Sequence, residues 1–195
     1  MEKNIFIIAG ANGSGKTTFI NVFNKNKGLA FVNADEIAKA LSPSDLNKKR
    51  IEAGKIFLKN IYDYLSKSIS FIIETTLSGK YIKKIIKESK DRGYNVIIIY
   101  IFTDNPSINF RRIKGRVLKG GHDIPKSDVV RRFERSRNLF WKEYKDMANE
   151  WFLFYNGEDD FEEIAYFKEN YLTVLNEFLY KQFGGSIWAM MNLSN

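Results

Sequence analysis

The sequence predicts an α/β protein, a five-stranded, mostly parallel sheet with helices on both faces. Three observations carry that prediction. Five short apolar runs, at 3–9, 29–32, 71–76, 94–102 and 151–155, recur between segments of helical periodicity. The runs are nearly continuous rather than alternating in polarity, as expected of strands covered on both faces. The first run leads into a glycine-rich turn, and that turn leads into a helix.

The turn reads Gly10-Ala11-Asn12-Gly13-Ser14-Gly15-Lys16-Thr17. This is the Gly-x-x-x-x-Gly-Lys-Thr spacing of a P-loop, in the strand-before, helix-after context that the chemistry requires. Glycines let the backbone curl until several N–H groups face one phosphate. The following helix adds its unpaired N–H groups and positive dipole end. Lys16 is placed to reach the β- and γ-phosphates, and the Thr17 hydroxyl to act as a Mg²⁺ ligand. Gly10, Ala11, Asn12, Gly13, Ser14, Gly15, Lys16, Thr17 and Thr18 are therefore the candidate ATP contacts. The fold class becomes the P-loop NTPase fold.

The elements follow in order. Residues 3–9 are the first strand, and the P-loop helix runs to Lys25, stopped at Lys27-Gly28. Leu29–Val32 is a short second strand, with Asn33-Ala34-Asp35-Glu36 opening a short helix. Ser42-Pro43-Ser44-Asp45 carries a cap, a first-turn proline and an acid, and starts a helix reaching Lys67. Phe71–Thr76 is the third strand and 79–91 an amphipathic helix ended by Gly93. Tyr94–Phe102 is the fourth strand. Asp104-Asn105-Pro106 caps a helix over 106–119, Gly120-Gly121-His122-Asp123 breaks it, and a second helix covers 126–148. Trp151–Tyr155 is the fifth strand, Gly157 a turn and 160–183 a final helix. Residues 1–183 read as one P-loop domain, with 105–148 as a helical, arginine-rich lid. Residues 184–195 form a tail, open to reading as a packed terminus, a protomer contact or a frayed end.

Composition narrows the classes. At 195 residues, 44% hydrophobic and 28% charged, the chain is an ordinary globular domain. It has no cysteine, hence no disulfide, thiolate metal site or cysteine nucleophile. No run approaches the ~20 apolar residues of a membrane span. The apolar run before the P-loop is too short for a signal peptide, and a cytoplasmic location is expected. The net charge of +8 is local: between 111 and 137 ten Lys and Arg face three acids. That concentration describes an anion site, not a generally basic surface.

In an open α/β sheet, ligands gather at the carboxyl ends of the strands. Those ends supply Asn33 and Asp35, then Glu74, Thr75 and Thr76, then Thr103 and Asp104. Asp35 fits a base that takes a proton from an acceptor hydroxyl, and equally a helix cap or first-turn acid. Glu74 fits a Mg²⁺-holding carboxylate or an acceptor of substrate hydrogen bonds. His122 fits a lid or substrate contact, or a plain loop residue. In the second basic helix Val129, Val130, Phe133, Phe140 and Tyr144 form the apolar stripe. At about 100° per residue, Arg131 and Arg135 face away from it while Arg132 flanks it. Arg132 is thus the candidate to sit over a transferring phosphoryl group, and the preceding helix carries Arg112 and Arg116 one turn apart.

These residues together resemble the zeta toxin family of P-loop kinases, most closely its small, single-domain branch. The resemblance rests on Gly10–Thr17, Asn33-Ala34-Asp35, Ile72-Ile73-Glu74-Thr75-Thr76-Leu77-Ser78-Gly79, and Arg116-Val117…Gly120-Gly121-His122-Asp123-Ile124-Pro125…Arg131-Arg132-Phe133…Arg135-Ser136. It covers residues 3–156. It implies ATP-dependent phosphorylation of a sugar-nucleotide hydroxyl, the 3′-hydroxyl of UDP-N-acetylglucosamine in the characterised toxins, and an antitoxin protein as partner. Carried over by position, Lys16 binds phosphate, Asp35 is the base, Glu74 serves substrate or Mg²⁺, and Arg116 and Arg132 stabilise the phosphoryl group. The Gly-Gly-His-Asp form of the lid and the absence of a long C-terminal region set this chain apart from larger toxins and bear on substrate identity.

The rival readings are a kinase of another small metabolite and a nucleic-acid-directed P-loop ATPase or polynucleotide kinase. A transporter-type ATPase needs Leu-Ser-Gly-Gly-Gln, and here Leu77-Ser78-Gly79-Lys80 is incomplete. A GTPase needs an Asn-Lys-x-Asp guanine reader, and the chain has none.

Overall fold

The computed structural model describes residues 2–42, 49–121, 123–157 and 160–192. Strands β1 (Asn4–Ala9), β2 (Ala30–Asn33), β3 (Phe71–Thr75), β4 (Asn95–Phe102), β5 (Glu150–Asn156), β6 (Phe161–Lys168) and β7 (Tyr171–Val174) form one seven-stranded sheet in the order β2-β3-β1-β4-β5-β6-β7. The pairs among β1–β5 are all parallel; β6 and β7 continue the sheet antiparallel. The helices are α1 (Lys16–Phe23), α2 (Ala34–Leu41), α3 (Arg50–Ser66), α4 (Tyr81–Asp91), α5 (Pro106–Leu118), α6 (Lys126–Leu139), α7 (Lys145–Met147) and α8 (Glu177–Asn192). A π-helical turn, Phe140–Tyr144, joins α6 to α7, so the long helix expected over 126–148 is interrupted there.

The sheet has seven strands where the sequence led us to expect five. The stretch 160–183, expected as one helix, folds instead as β6, a tight turn, β7 and the first part of α8. The turn is Glu169-Asn170, both at positive φ (53° and 67°), between the paired residues Lys168 and Tyr171. A two-residue hairpin loop needs positive φ at both central positions, which asparagine tolerates better than most residues. Its flanks, Phe161–Lys168 and Tyr171–Val174, are rich in aromatic and branched residues suited to a pleated surface. Gly184-Gly185 lie within α8 rather than ending a helix. The expected helix start at 42–45 lies largely outside the described residues; α3 is described from Arg50.

The central strands bury both faces because alternate residues point to opposite sides. Ile5, Ile7, Phe71, Ile73, Val96, Ile98 and Tyr100 pack with Phe57 and Ile61 of α3, Ile82 and Ile86 of α4, and Phe140 and Tyr144. On the other face Ile8, Ile72, Ile97, Ile99 and Ile101 pack with Ile20 of α1 and with Phe19, Phe154 and Phe161. Among the described residues no helix is long and apolar enough to cross a membrane.

Two contacts fasten α6 to this frame. Tyr100 and Ser136 share a buried hydroxyl hydrogen bond of 2.8 Å. The buried Arg137 guanidinium lies over the rings of Phe102, Phe133 and Phe183 and donates to the Phe183 carbonyl at 3.3 Å. Phe183 is fully buried and also meets Tyr100, Phe140 and Trp141. Phe183→Ala is therefore expected to cost about 3–5 kcal/mol, the usual range for a buried phenylalanine. Urea unfolding monitored by circular dichroism measures it, and a loss below about 1 kcal/mol means that α8 does not dock there.

Candidate active site

The P-loop lies between the carboxyl end of β1 and the start of α1. Its curvature depends on Gly13 (φ 80°) and Gly15 (φ 97°), conformations open mainly to glycine. Both are also tightly enclosed. A Cβ at Gly13 would lie 2.7 Å from the Asn109 carbonyl oxygen, and one at Gly15 2.2 Å from Asn156 Nδ2. Ala11, Asn12, Ser14 and Lys16 are buried, while Thr17 and Thr18 are exposed at the first turn of α1.

Lys16 folds back so that Nζ donates to the Ala11 carbonyl at 2.9 Å, with Glu74 Oε1 3.9 Å away. Burial pushes its ammonium below the usual lysine range. Glu74 and then Asp35 pull the other way, and the cations Arg116 and Arg132 add to the push. Those four charged groups thus act on a single buried amine.

Glu74, at the end of β3, joins three elements. Its Oε2 accepts from Thr17 Oγ1 at 3.0 Å and from Asn33 Nδ2 at 2.9 Å. Asn33 caps α2, its Oδ1 accepting from the backbone N–H of Asp35 (2.7 Å) and Glu36 (3.3 Å). The cap is thus Asn33, and Asp35 is an exposed first-turn acid next to it. Thr75 is buried and turned to local work. Its Oγ1 accepts from the Leu77 N–H at 3.0 Å and meets Tyr81 Oη at 3.3 Å, stabilising the turn at Leu77 (φ 53°). Thr76 shares a 2.8 Å hydrogen bond with Ser78. His122 lies outside the described residues.

Arg132 is 17% exposed and Arg131 is 54% exposed. Arg132 Nη1 donates to Asn12 Oδ1 at 3.1 Å, and Nη2 lies 3.4 Å from Asp128 Oδ2. Arg131 meets the same Asp128 from the solvent side at 2.9 Å. The difference follows from helix phase: Arg132 lies one turn before Ser136, the residue bonded to the sheet, and shares its face.

Two residues that the sequence did not single out, Asn109 and Asn156, and Arg112, expected as a cation of the lid helix, complete the surroundings of the loop. Asn109 and Arg112 on α5, and Asn156 at the carboxyl end of β5, all bond to the P-loop or to each other. Asn156 carried a usable signal, since it ends an apolar strand just as Glu74 does. Asn109 carried none, because nothing in a helical pattern says which polar face meets a loop nearly a hundred residues earlier, and Arg112, expected over a phosphate, bonds to Asn156 and Gly157.

Residues 1–148 match the family model described as Zeta toxin. The chain belongs to the zeta toxin family. Another relative is a protein of Haemophilus influenzae described only as uncharacterized, 33% identical over 133 residues, 68% of this chain and 94% of that protein. Among solved structures, the AvrRxo1-ORF1:-ORF2 complex with ATP superposes with a TM-score of 0.75 at 18% identity, covering 93% of this chain. The present chain spans 63% of the length of that one. The PezAT chromosomal toxin-antitoxin system of Streptococcus pneumoniae gives 0.70 at 18% identity, covering 98% of this chain and 84% of that one. At such identities these likenesses show a shared fold.

Lys16 holds its charge where burial opposes it, so replacing it relieves that cost. Lys16→Met is expected to melt at or above the wild-type temperature while losing tight ATP binding. The Ala11 carbonyl is not orphaned by the change, because the Ser14 N–H still reaches it at 3.2 Å. Differential scanning calorimetry paired with ATP titration checks both halves, and wild-type ATP affinity in the folded variant contradicts the role of Lys16.

Proposed function

We propose that this zeta toxin family member is a Mg²⁺-dependent kinase that transfers the γ-phosphoryl group of ATP to a hydroxyl of a small molecule. The proposed acceptor is a sugar nucleotide, with the 3′-hydroxyl of UDP-N-acetylglucosamine the first to test. One observation carries the reading. Glu74 at the end of β3 lies 3.9 Å from Lys16 and accepts from Thr17 and Asn33, while Arg132 of α6 donates to Asn12 of the P-loop, and Asp35 and Arg116 add their charges to the field at the lysine. That set supplies phosphate binding, a base and charge stabilisation at one mouth. Family membership supports the same reading, and with it an antitoxin protein as partner.

In this reading the P-loop amides and Lys16 hold the β- and γ-phosphates. The residues fit a magnesium ion: Thr17 and Glu74 offer hard oxygen donors 3.0 Å apart. Thr17 and Glu74 would hold such an ion, which would supply positive charge against the phosphates. Asp35 takes the proton of the acceptor hydroxyl as its oxygen bonds to the γ-phosphorus and the bond to the β,γ-bridging oxygen breaks. Arg116 and Arg132, from the two helices of the proposed lid, stabilise the charge on the transferring group. Asn33 and Thr76 are the proposed acceptor contacts, and Glu74 bridges Thr17 and Asn33.

The direct experiment is incubation with Mg·ATP and a panel of UDP-sugars, read by mass spectrometry for the gain of one phosphate. Phosphorylated UDP-N-acetylglucosamine is the expected product. Phosphorylation of a different class of acceptor leaves the kinase and removes the sugar nucleotide; ATP consumption strictly dependent on polynucleotide removes both.

Two variants test the assigned roles. Asp35→Asn is expected to keep ATP affinity and lose about 10²–10⁴ in transfer rate, as for removal of a general base. Because Asn33 caps α2, its melting temperature should be nearly unchanged; near-normal turnover refutes the base. Arg132→Ala is expected to lower kcat by about 10²–10³, and Arg131→Ala far less. Equal, mild losses at the two positions reduce the basic segment to a device for steering anions.

A further inference from the structure

Two buried asparagines outside the phosphate-binding motif reach the P-loop from behind. Asn109, fully buried on α5, donates Nδ2 to the Asn12 carbonyl at 2.6 Å. Its own Oδ1 accepts from Thr103 Oγ1, just past the end of β4. Asn156, the last residue of β5 and also buried, donates Nδ2 to the Ser14 carbonyl at 2.8 Å. The Arg112 guanidinium backs it, donating to Asn156 Oδ1 and to the Asn156 carbonyl, each at 3.3 Å, and to the Gly157 carbonyl. Asn109 and Arg112 are three residues apart, so one face of α5 serves both anchors. The two glycines opposite have no room for a side chain, Gly13 against Asn109 and Gly15 against Asn156.

We infer that Asn109 and Asn156 are positioning residues that fix the direction of the P-loop amides toward phosphate, an inference that rests on the kinase reading above. The peptide unit is planar and trans, so a carbonyl and the N–H of the next residue point to opposite sides. Holding the Asn12 carbonyl against Asn109 turns the Gly13 N–H the other way. Holding the Ser14 carbonyl against Asn156 does the same for the Gly15 N–H. The Ala11 carbonyl is held from within the loop, by Ser14 N–H and Lys16 Nζ. Without the anchors, peptide planes flanked by glycine rotate readily. A ligand must then select the competent arrangement, and its apparent affinity falls by the fraction of time that arrangement exists. Asparagine suits both positions because one planar group donates to the loop while accepting from its own support, Thr103 or Arg112. Aspartate cannot donate.

Titration calorimetry of ATP and of inorganic pyrophosphate into the wild type, Asn156→Asp, Asn109→Ala and Arg112→Ala tests this. Kd for both ligands is expected to rise about tenfold or more in the two asparagine variants, the cost of lost preorganisation, and by less in Arg112→Ala. Pyrophosphate should lose as much as ATP, since the effect lies in the phosphate nest. KM for ATP should rise while kcat at saturating ATP is retained. Amide hydrogen exchange at Gly13 and Gly15 should accelerate in the ligand-free variants with β1 and β4 as protected as before, whereas a merely structural role speeds all of them. Wild-type affinity in folded Asn156→Asp and Asn109→Ala overturns the inference and leaves the kinase standing. A wild type that binds neither ATP nor pyrophosphate overturns the kinase reading and the inference with it. Should an asparagine variant fail to fold, Arg112→Ala decides, and unchanged affinity there overturns the inference.

Discussion

A loop that binds an anion with its backbone must turn its N–H groups to one side, and this turns carbonyls back into the protein. Buried carbonyls need partners. Much of the architecture around residues 10–17 answers that demand. The Asn12 and Ser14 carbonyls are met by side chains from α5 and β5, elements that are near only because β4 and β5 lie beside β1 in the sheet. The sheet order thus brings the ends of three consecutive strands, β1, β4 and β5, to one loop. On the other flank β3 lies next to β1 and brings Glu74 to Lys16 and Thr17.

Electrostatics gives the mouth of the loop its sign. The groups acting on Lys16 are two carboxylates and two guanidiniums, so with the ammonium itself the cluster carries an excess of positive charge. Burial makes that excess costly in the absence of an anion. Glu74 offsets part of it, at 3.9 Å from Lys16. Arg132 is held off the loop backbone by its bonds to Asn12 and Asp128, in the partly buried position that α6 imposes. Lys16 and Arg132 are thus ordered by neutral or acidic neighbours within the protein, as the preorganised stabilisation proposed for them requires.

The C-terminal third serves the site indirectly. Phe161 on β6 packs on Phe19 of α1 and lies within reach of Gly15, so the antiparallel extension of the sheet closes one side of the loop. Phe183 on α8 meets the ring of Tyr100 and the guanidinium of Arg137, and Tyr100 and Arg137 in turn hold α6 and its Arg132 in register. The region matched by the zeta toxin family model ends at residue 148, and Phe161 and Phe183 lie beyond it.

Local chemistry in the sequence determined the P-loop, the parallel strands β1–β5 and the order of helices between them, because glycine spacing, apolar runs and caps act over a few residues. It also determined which face of α6 Arg132 occupies, a matter of helical period alone. It left Asp35 open between a base and a cap or first-turn acid. The structure gives the cap to Asn33, which bonds Glu74 with its other side-chain atom across 41 residues, and leaves Asp35 in the first turn of α2. It misjudged 160–183, where a helical reading of Phe, Leu and Tyr spacing outweighed the Glu169-Asn170 turn. The strands there are stabilised by pairing with β5, which no local pattern displays. Only the tertiary structure decided that Asn109, Arg112 and Asn156 belong to the nucleotide loop. Their hydrogen bonds join residues separated by 97, 44 and 142 positions, and what selects them is the burial of a carbonyl, a property that exists only once the chain has folded.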